Sequence, residues 1–209
     1  MSIVDLIACW KVVPVIAIES PGAALSLADA LIEGGLPIAE ITFRTEAAAA
    51  VIRKMTQERP GVLVGAGTIL TLDNLNAAID SGAGFGVAPG FNPKIVEAAQ
   101  ERGFPFVPGV CTPSDVEAAL SSGCTVLKFF PAGAMGGLTM LKSLLAPYGH
   151  TGVQFMPTGG VSPANLGEYL ATKGVIACGG TWIATKEDIA ENRWELIASR
   201  CREVVALIG

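Results

Sequence analysis

The sequence predicts an α/β fold, a single-domain (β/α)8 TIM barrel over residues 1–209. Three observations predict it. Short runs rich in Val, Ile and Phe alternate with Ala- and Leu-rich helical patterns along the whole chain. Eight such runs occur, and they begin about 20–30 residues apart, the length of one βα unit. The runs are almost continuously apolar, which suits parallel strands covered by helices on both faces.

In order, the predicted strands are "VVPVIAI", "IAEITF", "VLVGAG", "FGVAP", "FPFVPG", "TVLKFF", "VQFMPT" and "VIACGG". Helix starts are marked by "SPGAAL", "NPKIVEAA", "TPSDVEAAL" and "SPANLGEYL". Each places a capping Ser, Asn or Thr before a proline at the first helical position, where the missing N–H is harmless. Helix ends are marked by the glycines closing "IEGG", "IDSG", "QERG", "LSSG" and "ATKG". The run "EAAAAVI" reads as helix, and "NRWELIASRCREVVALIG" as the last one. The alternative architecture is an open doubly wound sheet. No G-x-G-x-x-G fingerprint follows a strand, since "GAGTIL" lacks the third glycine.

Composition narrows the function. Hydrophobic residues reach 51% against 16% charged, enough to bury a large core. The net charge of -5 disfavours a nucleic-acid partner, which calls for a basic face. No apolar run approaches the roughly 20 residues that span a bilayer, so no membrane partner is expected. "VVPVIAI" is short and holds a proline, and since it follows Asp5 and Lys11 with no small-residue cleavage site it does not read as a signal peptide. Five cysteines without a C-x-x-C pair, and a single histidine, predict reduced thiols in a cytoplasmic protein and no metal site. His150 reads as a solvated loop residue, and Trp10, Trp182 and Trp194 as packing residues. Cys111 reads as a small packing residue too.

Barrels of this class place their chemistry at the C-terminal ends of the strands. In "AEITFRT", Glu40, Thr42 and Arg44 share one face because strand residues two apart do. They form either a site or a structural ion pair. "VGAGT" ends in glycines that open space for a ligand or merely form a turn, and Thr68 adds a hydroxyl. In "TVLKFF", Lys128 interrupts an apolar strand, with Lys128 and Phe130 pointing inward. A buried ammonium is disfavoured, so an inward lysine with no acid beside it in sequence is a candidate Schiff-base nucleophile, an amine able to attack carbonyls. The other reading is a structural pair with Glu40. The last two strands end in "PTGG" and "CGGT", where Gly159, Gly160, Gly180 and Thr181 can offer backbone N–H groups and a hydroxyl to a phosphate.

On these residues the sequence resembles the 2-dehydro-3-deoxy-6-phosphogluconate (KDPG) and 4-hydroxy-2-oxoglutarate (KHG) aldolases, class I pyruvate aldolases. The resemblance rests on "VVPVI", "EITFRTEAA", "VGAGT", "APG", "PGVCTPSD", "LKFFPA", "PTGGVSPAN" and "GGTW", in the family's order. It implies Lys128 as the Schiff-base lysine and Glu40 as the general acid/base. Arg44 and Thr68 then hold the pyruvate carboxylate, Pro89 and Phe130 shape that pocket, and Thr158 lies near the substrate. Gly159, Gly160, Gly180 and Thr181 bind the phosphate. Thr181 replaces a common serine, and Cys111 a frequent alanine or serine. The resemblance further implies no cofactor, a 2-oxo-3-deoxy sugar acid phosphate as substrate, and a homotrimer. Competing readings are a galactonate-type stereoisomer as substrate, a sugar-phosphate isomerase or synthase, a pyridoxal-phosphate barrel, and a non-catalytic phosphosugar binder.

Overall fold

The computed structural model describes residues 2–209. The first elements are α1 (Ile3–Ala8), β1 (Val12–Ile16), α2 (Ala24–Glu33), β2 (Ile38–Thr42), α3 (Ala48–Glu58), β3 (Leu63–Gly67) and α4 (Leu72–Asp80). Then follow β4 (Phe85–Val87), α5 (Pro93–Glu101), β5 (Phe106–Val107), β6 (Gly109–Val110), α6 (Pro113–Ser121) and β7 (Val126–Phe129). The chain closes with α7 (Gly137–Tyr148), β8 (Gln154–Pro157), α8 (Pro163–Leu170), β9 (Cys178–Gly180), α9 (Lys186–Ala190) and α10 (Trp194–Ile208). Strands and helices alternate as the periodicity predicts, and the paired strands run parallel.

The chain falls into two compact units, one of Val13–Gly86 with Thr181–Gly209, the other of Val87–Gly180 with the residues up to Val12. In the first, β2 pairs with β1 and β3, and β3 with β4. The registers Glu40↔Gly65 and Thr42↔Gly67 fix which side chains meet. Every residue of β1 and β2 is buried, because helices cover the sheet. Helix α10 packs onto the end of α2 so closely that a Cβ at Gly34 would lie 2.8 Å from the carbonyl oxygen of Ala198. In the second unit, β7 lies between β6 and β8. Bridges at Phe155↔Val175 and Thr158↔Gly179 continue the order toward β9.

The helix boundaries follow the caps read from sequence. Asn92 Oδ1 accepts from the Lys94 amide at 3.1 Å, and Thr112 Oγ1 from that of Asp115 at 3.2 Å. The glycines closing the five helix-end motifs, Gly35, Gly82, Gly103, Gly123 and Gly174, all have positive φ. "SPGAAL" differs in detail: Ser20 caps a 3-10 turn, Pro21–Ala23, and α2 begins after it. The fifth predicted strand is two short pieces separated by Pro108, whose ring nitrogen has no hydrogen for the ladder. Its carbonyl is used, accepting from the Lys128 amide at 2.9 Å. The eighth predicted strand is ordered as strand only over its last three residues.

Candidate active site

Lys128 sits in the middle strand of its unit, opposite Gly109 on one side and Met156 on the other. Its neighbours Leu127 and Phe129 are fully buried, and Lys128 itself is only 5% exposed. Taking an ammonium out of water costs several kcal/mol, so this lysine has not escaped past a sheet edge. Its Nζ lies 5.7 Å from the centroid of the Phe130 ring, which places both on one face of the strand, as the alternation predicts.

The same unit holds Pro89, Thr158, Gly159, Gly160 and Gly180, part of the set expected around Lys128. Pro89 and Gly90 pass directly over Gly109, the register partner of Lys128: a Cβ there would lie 2.6 Å from the Gly90 nitrogen. Thr158, buried, follows β8, and its amide donates to the Phe129 carbonyl at 2.9 Å. Gly179 leaves room for it, since a Cβ at Gly179 would stand 2.8 Å from Thr158 Cγ2. Gly159 and Gly160 have φ of 86° and 83°, a left-handed turn closed to most side chains. Gly159 accepts from the Gly133 amide at 2.7 Å, tying this turn to the segment after β7. Gly180 ends β9.

The other unit holds the acid. Glu40 is fully buried on β2. Its carboxylate crosses to β3 above Gly67: a Cβ at Gly67 would lie 2.6 Å from Glu40 Cγ and 2.7 Å from Cδ. Gly65 similarly accommodates the Phe85 ring, 2.6 Å from such a Cβ at Cε1. The glycines of "VGAGT" therefore make room for Phe85 and Glu40, two side chains of this chain, rather than for an approaching ligand. Thr42 acts as a strut. Its hydroxyl donates to the Ile16 carbonyl at 3.0 Å and accepts from Arg44 Nε at 3.1 Å, which fixes the base of an otherwise exposed guanidinium. Thr68 has φ of 58°, an outlier for a β-branched residue that stores on the order of 1–3 kcal/mol of strain. Thr181, next in sequence after Gly180, is exposed.

Among the described residues, no buried side-chain nitrogen or oxygen lacks a hydrogen-bond partner, so the buried lysine and glutamate are both accommodated. Among them, too, no group of three or more His, Cys, Asp or Glu is placed to hold a metal ion. Nor is any helix long and apolar enough to cross a membrane. Partial burial and the adjacent Asp115 carboxylate push the Cys111 thiol up, which disfavours its thiolate. Burial raises Cys178 and Cys201 to about 12. His150 is exposed in a short 3-10 turn, as expected of a solvated loop residue. One cluster was not read from sequence: Asp188, buried, with Thr185, Arg193 and Arg200 around it. Its members come from separate elements, and only the Thr185–Asp188 spacing carries a capping signal.

A family model described as KDPG and KHG aldolase matches residues 3–200. The chain is 48% identical over 198 residues to a 2-dehydro-3-deoxy-phosphogluconate aldolase of Haemophilus influenzae, covering 95% of this chain and 92% of the relative. It is 37% identical over 201 residues to the KHG/KDPG aldolase of Escherichia coli K12, covering 96% and 93%. A solved KDPG aldolase from Legionella pneumophila, holding pyruvate as a covalent carbinolamine intermediate, superposes with a TM-score of 0.90 at 37% identity, covering 94% of this chain and 95% of that one. With a buried lysine at mid-strand and a match running through nearly the whole sequence, the chain belongs to the KDPG and KHG aldolase family.

Proposed function

We propose that this protein cleaves 2-dehydro-3-deoxy-6-phosphogluconate reversibly to pyruvate and glyceraldehyde 3-phosphate through a Schiff base on Lys128. It also cleaves 4-hydroxy-2-oxoglutarate to pyruvate and glyoxylate, an activity carried in the name of its E. coli relative. The observation that carries the reading is Lys128 itself, a lysine 5% exposed in a fully apolar strand. The reading further takes the chain as one closed (β/α)8 domain, acting as a cytoplasmic homotrimer. A solution mass of one chain would refute the trimer.

The Lys128 amine attacks the C2 ketone of the substrate. Loss of water gives an iminium, whose positive charge draws electrons from C3. Glu40, directly or through a water, takes the proton of the C4 hydroxyl, and the C3–C4 bond breaks. The aldehyde leaves and the bond's electron pair settles into an enamine. Protonation at C3 and hydrolysis of the iminium release pyruvate and restore the amine. Arg44, anchored through Nε, offers its Nη fork to the substrate carboxylate together with Thr68. Pro89 and Phe130 wall the pyruvyl portion, and Thr158 contacts the substrate. Gly159, Gly160, Gly180 and Thr181 receive the phosphate through backbone N–H groups and the hydroxyl.

Borohydride trapping tests it. The protein is incubated with pyruvate, reduced and digested, and the peptide containing "LKFF" is weighed. A reduced pyruvyl adduct on Lys128, absent in folded Lys128→Met, is the expected result. A folded wild type that cleaves substrate without forming the adduct would overturn the Schiff base.

A further inference from the structure

The segment 181–184 follows Gly180 and has no helix or strand hydrogen bonds to hold its carbonyls. Behind it stands Arg200, on α10. A single nitrogen, Nη1, donates to the Trp182 carbonyl at 2.9 Å and lies 3.4 Å from that of Ile183. The same nitrogen meets Asp188 Oδ2 at 2.5 Å. Asp188 is 2% exposed and holds its place through four further bonds, one of them from the Thr185 amide at 3.4 Å. The Thr185 hydroxyl donates to it at 2.7 Å, its own amide donates back to Thr185 Oγ1 at 3.2 Å, and Arg193 reaches its other oxygen at 3.4 Å. Burial alone would raise this carboxyl. Thr185 and Arg200 more than offset that and keep it below the ordinary value, so the group stays anionic and the guanidinium stays anchored.

We infer that Arg200, held by Asp188, is a positioning residue that sets the peptide planes after Trp182 and Ile183 and so aims the amides of Ile183 and Ala184, just beyond Thr181, at the substrate phosphate. The inference rests on the phosphate role proposed above for Gly180 and Thr181. A peptide plane has its N–H and C=O on opposite edges, so a loop that presents amides to an anion turns carbonyls away from it. Those carbonyls need donors of their own. Donors fixed before the anion arrives need no rearrangement to bind it, and this is where their value lies. Arg200 Nη1 has two hydrogens, one for Asp188 Oδ2 and one shared between the Trp182 carbonyl and, more weakly, that of Ile183. Its charge is matched by Asp188, so what it contributes is loop geometry.

The test compares a phosphorylated with an unphosphorylated substrate. The intact enzyme and Arg200→Met are assayed on KDPG and on 4-hydroxy-2-oxoglutarate, with inorganic phosphate as a competitive probe of the anion site. Arg200→Met should raise KM for KDPG, and the inhibition constant of phosphate, about tenfold, the loss typical of a hydrogen bond to a charged group. KM for 4-hydroxy-2-oxoglutarate should move far less. Arg200→Lys keeps a cationic nitrogen hub and should recover part of the loss. A merely structural arginine would lower the melting temperature and scale kcat down equally for both substrates, and that outcome overturns the inference. So does an unchanged ratio of the two KM values. If Arg200→Met does not melt cooperatively, Arg200→Gln carries the same comparison, with a donor retained and the ion pair lost. A wild type insensitive to phosphate would sink the underlying phosphate reading instead.

Discussion

Replacing Gly67 with alanine should disable catalysis by displacing Glu40 and nothing else. The backbone permits the change, because Gly67 lies in β3 and is not among the positive-φ glycines. The new methyl would stand 2.6 Å from Glu40 Cγ and 2.7 Å from Cδ. Carbon atoms in contact settle about 3.5–4.0 Å apart, so the carboxylate must retreat by about 1 Å. A displacement of that size at a reacting group lowers the rate about 100-fold, or about 2.7 kcal/mol in the barrier. Overpacking should also destabilise the fold by about 1–3 kcal/mol, partly offset by the smaller entropy of an alanine in the unfolded chain. The assay is pyruvate release from KDPG, followed through lactate dehydrogenase and NADH absorbance, beside a thermal melt. Gly61→Ala is the control, since nothing lies within 4 Å of a Cβ there. Borohydride trapping of pyruvate should still label Lys128 in the Gly67→Ala enzyme after long incubation. If folded Gly67→Ala keeps kcat within about threefold of wild type, the position of Glu40 does not govern the reaction and the argument fails.

Other perturbations separate the remaining parts. Gly160→Ala meets both a φ of 83° and a Gly133 Cα 2.9 Å away, so it should lose at least about 1–2 kcal/mol of stability and bind KDPG more weakly; a melt and KM values check this. Maleimide applied to the native protein should label exposed Cys9 rapidly, and Cys124, Cys178 and Cys201 only after denaturation, as peptide mass spectrometry would show. Acid titration should expose Asp188. Its folded-state pKa is depressed below 3.8, so the stability it contributes is complete above that value and is lost as pH falls through the folded value. Asp188→Asn should flatten that acid limb in denaturant melts.

The residues on which the proposed chemistry rests stand out in the sequence because they break local rules. A lysine inside "TVLKFF" is an anomaly visible from one strand, and the shared face of Glu40, Thr42 and Arg44 follows from period two alone. Proline-marked caps and glycine stops are local as well, and they placed the helices. The short helix α1 was missed, although Ser2 and Asp5 form a capping box that the sequence displays. What stayed hidden depends on register. Nothing within "VGAGT" reveals that Gly65 faces Phe85 or that Gly67 lies under Glu40; the pairings Glu40↔Gly65 and Gly65↔Phe85 decide both. Pro108 was in plain view, yet its effect depends on which carbonyl and amide the neighbouring strands require. The grip of Arg200 on Trp182 and Asp188 spans 18 and 12 residues, beyond any sequence period.

The residues around Lys128 also divide the labour in a way that invites retargeting. Lys128, the proposed nucleophile, is locked on both sides by parallel ladders, and its own amide is spent on Pro108. Gly159 and Gly160 belong instead to a connecting turn, held by the Gly133 amide on the Gly159 carbonyl and by Asn165 Nδ2, which donates to the Gly160 carbonyl at 3.0 Å. An engineer seeking new aldehyde acceptors can therefore vary the neighbours of that turn, keeping Gly133, Gly159 and Gly160 as glycine because the turn closes to side chains, while leaving β7 untouched. Pyruvate trapping at Lys128 then serves as a substrate-independent screen for library members whose nucleophile survives.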